Sequence, residues 1–398
     1  MVCGQNKNYI CVQIQDFNTN MKKVVVASDS FKGCLSSAQV AAAVEKGIHE
    51  VYPECEVVKL GVADGGEGTL DVFRKTCGGM EITMTVDGPL VGQVEATYLI
   101  LHDGETAVIE MASACGLTLV PEDRRDPIKS TTYGLGQLIM DAIGRGCRKI
   151  IVTLGGSATV DAGLGMLSAL GFRFYNDGSY QGGRMPNACY GAELELLVDY
   201  DDSQVPQDVR DTEFVAVCDV VAPLCGPDGA ALRYGPQKGM DRYMAEAIEC
   251  GMRNFADIVK DKTGISLHEM PAAGAAGGVA GAMIAFLGAQ VRQGSDAVLD
   301  AVCFEEHIKG ADLIITGEGR IDCQTMDGKL PYAVACRADG VPVVAVCGCS
   351  EVTSLPCFAS ILPVTPSGIP LDHAMNPMTA SKNITKAAVN FLKKKNTE

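Results

Sequence analysis

Five short segments of this chain crowd carboxylates, hydroxyls and cations among glycines, and they are where chemistry is to be sought. In order they are Asp29-Ser30-Phe31-Lys32-Gly33, then Ala63-Asp64-Gly65-Gly66-Glu67-Gly68-Thr69, then Gly155-Gly156-Ser157-Ala158-Thr159. Asp219 follows, with Gly235-Pro236-Gln237-Lys238-Gly239 behind it, and last comes Thr316-Gly317-Glu318-Gly319-Arg320-Ile321-Asp322 with Gly328-Lys329. Lys32 could pair with a phosphate or a carboxylate, although a capped turn with a solvated lysine explains it equally well. Adjacent glycines at Gly65 and Gly66 permit positive φ and close ligand approach, while Asp64 and Glu67 could hold a metal or orient a hydroxyl. Gly155-Gly156-Ser157 reads as an anion nest entering a helix N-terminus, with Ser157 or Thr159 as added hydroxyl donors. Asp219 can accept a hydroxyl proton or merely cap a turn. The fifth segment is the densest: Arg320 and Lys329 can neutralise phosphate oxygens, and Glu318 and Asp322 can meet magnesium or an acceptor.

Each segment except the Gly235–Gly239 stretch follows a short apolar run, and that placement is what a parallel sheet would give. The runs 24–27, 57–62, 150–154, 214–218, 313–316 and 343–346 are each followed by a turn and an Ala-rich stretch of helical spacing. Strands apolar throughout suit a parallel sheet covered on both faces, where ligands gather at the strands' C-terminal ends. Ser36 or Ser37 is placed to cap a helix over 38–50. Between 78 and 101 the pattern changes to alternation around Asp87-Gly88-Pro89, which predicts an antiparallel hairpin. A hairpin interrupting a βα series marks a second domain. The expected division is a poorly ordered extension over 1–20, a discontinuous parallel α/β domain over 21–77 plus 276–398, and an inserted mixed-sheet α/β domain over 78–275.

Composition excludes several alternatives. The chain has 398 residues, 47% of them hydrophobic, with 45 glycines, 6% aromatics and no Trp, which suits two α/β domains better than an aromatic-rich sandwich. A net charge of −16 argues against nucleic acid and acidic membrane surfaces as partners. The 17 cysteines form no C-x-x-C pair and no metal spacing, as expected of reduced cysteines in a cytoplasmic protein. No secretory signal is evident, nor any apolar run long enough to span a membrane. Asp327-Gly328-Lys329-Leu330 lacks the rest of a Walker A loop, and no strand leads into a dinucleotide G-x-G-x-x-G. None of His49, His102, His268, His307 and His373 lies in the five segments, so carboxylates would have to serve as bases.

Taken together and in this order, the five segments resemble the signature segments of the bacterial-type glycerate kinase family over 22–391. The chain departs from that pattern at Val160, where Asn is usual, at Ala162, where Gly is usual, and at Val221-Ala222, which replace an acidic and an amide residue. The resemblance implies two α/β domains, one of them a doubly wound sheet of the Rossmann/flavodoxin-like kind. It further implies ATP, Mg²⁺ and D-glycerate as the reactants, with 2-phosphoglycerate the favoured product and a monomer or homodimer as the enzyme. On that footing Asp219 leads as candidate base, with Lys32, Arg320 and Asp322 as further catalytic candidates. Nucleotide is expected at Gly155, Gly156, Ser157, Thr159, Gly317, Gly319 and Lys329. The acceptor is expected at Asp29, Ser30, Lys32, Asp64, Gly65, Gly66 and Arg320, and the metal at Asp64, Glu318 and Asp322.

Overall fold

A computed structural model describes the chain at residues 21–31, 33–62, 69–178, 185, 190–366 and 368–395. Among these residues the strands are β1 (Lys23–Ser28), β2 (Glu56–Lys59), β3 (Met80–Asp87), β4 (Gln93–Ile100), β5 (Thr106–Glu110), β6 (Lys149–Thr153), β7 (Arg173–Asn176), β8 (Leu197–Asp201), β9 (Glu213–Val217), β10 (Gln290–Arg292), β11 (Leu313–Ile321), β12 (Val343–Ser350) and β13 (Ser360–Pro363). They fall into two compact units, one formed by Met1–Asp64 with Ser295–Glu398, the other by Gly65–Gly294. The observed boundaries stand beside expected ones at 77/78 and 275/276. The second differs because β10 pairs with β9 and so carries the segment up to Gly294 into the second unit, and the first because the helix Thr69–Cys77 packs on β4 and β5, with Leu70 N donating to Glu110.

The first unit is a five-stranded parallel sheet in the order β13-β12-β11-β1-β2. Counted by appearance within the unit, this is the doubly wound order 2-1-3-4-5, whose switch point lies between β1 and β11. Burial on both faces explains the uninterrupted apolar runs. Val24 and Val26 join Leu313, Ile315, Val344 and Val346 in one core with Val40, Val44, Ile384 and Leu392, while Val25, Ile314 and Ala345 are buried on the other face. The helix Ser37–Val51 begins at Ser36, whose hydroxyl accepts from Gln39 N while the Gln39 side chain accepts from Ser36 N. Gly47 lets this helix meet the helix Pro377–Lys395, since a Cβ there would lie 2.8 Å from Ala388 Cβ and from Thr385 O.

The second unit holds a six-stranded sheet in the order β10-β9-β6-β5-β4-β3 and a separate β7-β8 pair. β10, β9, β6 and β5 run parallel. β4 and β3 close the sheet antiparallel as the hairpin the alternation predicts, with Glu81 opposite Leu99 and Thr85 opposite Glu95. Its core gathers Ile82, Tyr98, Ile109, Val152 and Phe214 with Leu135, Ile139 and Leu167 from the helices. The Tyr98 hydroxyl satisfies itself on Asp141 at 2.7 Å.

Candidate active site

The carboxyl ends of β1 and β11 meet at the switch point of the first unit. Asp29 N donates to Gly317 O at 2.9 Å, and the buried Asp29 carboxylate accepts from Ser30 N at 2.6 Å, so Asp29 and Ser30 are held against β11. Gly317 is required there by space, since a Cβ would lie 2.1 Å from Val346 O. Gly319 faces Gly348, whose own Cβ would fall 2.6 Å from Gly319 O.

Beyond these glycines, four side chains converge. Thr325 Oγ1 donates to Glu318 Oε1 at 2.9 Å and accepts from Asp322 N at 3.1 Å. Lys329 Nζ lies 3.3 Å from Glu318 Oε2 and 3.6 Å from Asp322 Oδ1. The Glu318 and Asp322 side chains are only 13% and 15% exposed, so the ion pairs are partly desolvated and stronger than surface ones. Burial holds the Glu318 carboxyl above its ordinary range, opposed by the Thr325 hydroxyl and the Lys329 ammonium. Arg320 does not join this group; its guanidinium pairs with Glu351, both largely exposed.

In the second unit the expected segments also stand at strand ends, with one correction. Gly155 and Gly156 are exposed after β6, Gly156 with φ +71°, and a Cβ on Gly155 would touch nothing within 4 Å. Their segment does not run straight into a helix: the next helix is the short Leu164–Ala169. The amides of Gly163 and Gly165 donate to Asp161 at 3.1 and 3.2 Å, so a carboxylate of the chain itself occupies the start of that helix, and Gly155 and Gly156 stay exposed ahead of it. Nor do Ser157 and Thr159 offer hydroxyls outward. Both are buried, and Ser157 Oγ accepts from Lys238 at 2.8 Å. Asp219 is exposed at the end of β9, where Oδ1 accepts from Gly294 N at 2.8 Å.

Lys32, Asp64, Gly65, Gly66 and Glu67 lie outside the described residues. Among the described ones no three of His, Cys, Asp and Glu gather closely enough to cage a metal ion. Two carboxylates sharing a site nevertheless fit Mg²⁺, which is commonly bound through one or two carboxylates together with substrate phosphates. Sequence reasoning missed Thr325 as a bridge between Glu318 and Asp322, and Lys238 as a buried partner of Ser157. The Pro236-Gln237-Lys238-Gly239 motif was the only available signal for the second.

Comparison with known proteins identifies the family. A model of the glycerate kinase family matches residues 24–395. A glycerate kinase of Bacillus cereus is 44% identical over 82% of this chain and 85% of its own length. A glycerate 2-kinase of Escherichia coli is 41% identical over 82% and 85%. A crystal structure described as glycerate kinase 2 of Salmonella typhimurium LT2 superposes with a TM-score of 0.82 at 38% identity, covering 94% of this chain and 98% of that one. The family model's match over residues 24–395, with relatives at 41–44% identity on the same doubly wound fold, places this chain in the glycerate kinase family.

Proposed function

We propose that this chain transfers the γ-phosphoryl group of ATP to D-glycerate, giving 2-phosphoglycerate and ADP, with Mg²⁺ as the companion ion. The observation that carries the reading is the Glu318–Asp322–Thr325–Lys329 cluster at the switch point of a doubly wound sheet. Phosphoryl transfer asks a protein for positioning and charge stabilisation more than for covalent chemistry, and an ammonium beside two carboxylates is suited to that.

The acceptor hydroxyl oxygen forms a bond to the γ-phosphorus as the bond to the bridging oxygen breaks, and ADP leaves with that electron pair. The hydroxyl proton passes to a carboxylate, for which Asp219 is our candidate, exposed at its strand end. Lys329 meets phosphate oxygens, and Arg320 and Lys32 are assigned to the anionic groups of the acceptor. Glu318 and Asp322, with Asp64, would hold Mg²⁺, which neutralises phosphate charge when bound. Gly155, Gly156, Gly317 and Gly319 are assigned to the nucleotide; of these, Gly155 has open space beside its backbone. A cytoplasmic location belongs to the same proposal, supported by dispersed free cysteines such as Cys115, Cys147 and Cys347.

The test is ADP release from purified protein with ATP, Mg²⁺ and D-glycerate, the product identified by ³¹P NMR. An Asp219→Asn variant should lose about 10²–10⁴-fold in kcat with a nearly unchanged KM for glycerate. Turnover with a different hydroxy acid and none with glycerate would replace the substrate. Silence with every acceptor would overturn the reading.

A further inference from the structure

Lys238 is a cation in an unusual place. It closes a short turn, Pro236–Lys238, and is only 3% exposed, in a chain whose lysines mostly lie at the surface. Its ammonium donates to Ser157 Oγ at 2.8 Å and to Thr159 O at 2.7 Å. Those two residues stand directly behind the exposed Gly155 and Gly156. From the other side the same segment is tied down by backbone alone: Ala158 N donates to Cys115 O at 2.8 Å and Leu117 N to Gly156 O at 2.9 Å.

A second buried charge supports the arrangement. Asp161, wholly buried, accepts from Thr132 N and Thr132 Oγ1, each at 2.7 Å, as well as from Gly163 and Gly165. The segment is thus set between a buried cation and a buried anion, and Thr159 Oγ1 finds no partner among the described residues. Beside Lys238 lies a cavity of about 10 Å³, lined also by Arg125, Asp126, Ser130 and Ala158, room for one water. An ammonium desolvated this far is tolerated only where its hydrogen bonds are well placed. A solvated loop turn would need no such anchor.

We propose that Lys238 is a positioning residue: it anchors the segment 155–159 from behind so that Gly155 and Gly156 present their backbone to the nucleotide phosphates. This inference rests on the kinase reading above, and the anchoring can be tested apart from it. Lys238 touches neither substrate in this role; it acts through Ser157 and Thr159.

The charged groups that face Lys238 are Asp161, Arg125 and Asp126. Burial pulls the Lys238 ammonium down to about 7, opposed by the Asp161 carboxylate, so the anchor should weaken as pH rises through neutrality. Burial pushes the Asp161 carboxyl upward, opposed by its own hydrogen bonds.

The experiment compares Lys238→Met, Lys238→Arg and Ser157→Ala in the full chain by steady-state kinetics and by amide hydrogen exchange over 155–159. Lys238→Met should lower kcat/KM for ATP by up to about 10²-fold, the scale of loss from displaced positioning, while the KM for D-glycerate holds. Ser157→Ala, which leaves Lys238 in place but removes one acceptor of its ammonium, should move the same constant in the same direction by less, with a modestly lower unfolding midpoint. In wild type the KM for ATP should rise from pH 6.5 to 8.5, and in Lys238→Arg, whose charge does not titrate there, that rise should vanish. Exchange over 155–159 should quicken in Lys238→Met and Ser157→Ala. Folded variants with wild-type KM for ATP and wild-type exchange would overturn the proposal. If the wild type itself fails to phosphorylate glycerate, the kinase reading falls while the exchange comparison still decides the anchor.

Discussion

Glu318 shows how one residue can serve the proposed chemistry against stability. Burial disfavours its charge, and the Thr325 and Lys329 contacts only partly offset this. Because the folded-state pKa is raised, the folded protein binds more protons than the unfolded chain just above pH 4.5, and this residue's contribution to stability falls as pH rises through that window. Glu318→Gln should therefore not lower the unfolding midpoint at pH 7, and should raise it slightly, while removing most of the turnover, a trade expected where a site keeps a strained charge. A thermal melt beside a rate measurement checks both halves; a lower midpoint would show that the Lys329 pairing outweighs the burial. That Glu318, Asp322 and Lys329 belong together was legible in the sequence because they sit within a dozen positions after one apolar run. The inward turn of Ser157 and Thr159 was not legible, because it depends on Lys238, 81 and 79 positions away.

At the scale of elements, the β-branched runs marked the strands and the alternation marked the hairpin, since period and side-chain branching are local properties. The link after β6 was misread for an equally physical reason. The glycines suggested a helix start, but Asp161 turns back on its own backbone and delays the helix to Leu164. That turn passes through Ala162 at φ +51°. An alanine in the left-handed region costs about 1–2 kcal/mol, partly offset by the freedom a glycine adds to the unfolded chain. Ala162→Gly should stabilise the protein by about 0.5–1 kcal/mol, read from the urea midpoint at unchanged slope. An unchanged or lower midpoint would mean that the buried Ala162 methyl contributes as much as its strain removes.

For the whole molecule, no local pattern announces which strand lies at the centre of a sheet, and it is here that the sequence reading stopped short. The second unit is continuous in sequence, carries its own sheet and core, and should fold alone. A fragment covering Gly65–Gly294 is expected to show native-like far-UV circular dichroism and one cooperative urea transition; a broad, non-cooperative loss of signal would defeat this. The first unit cannot be made from its N-terminal piece, because β1 lies between β2 and β11. Thr316 Oγ1 reaches Ala27 O across 289 positions, so β1 leaves the ribosome long before its partner exists. At about 5–20 residues per second, roughly 15–60 s pass between the two. Throughout that interval the inserted unit can finish folding while an apolar strand waits with an open edge. The newborn chain thus has a timed window in which a chaperone that shields hydrophobic strands would decide its yield.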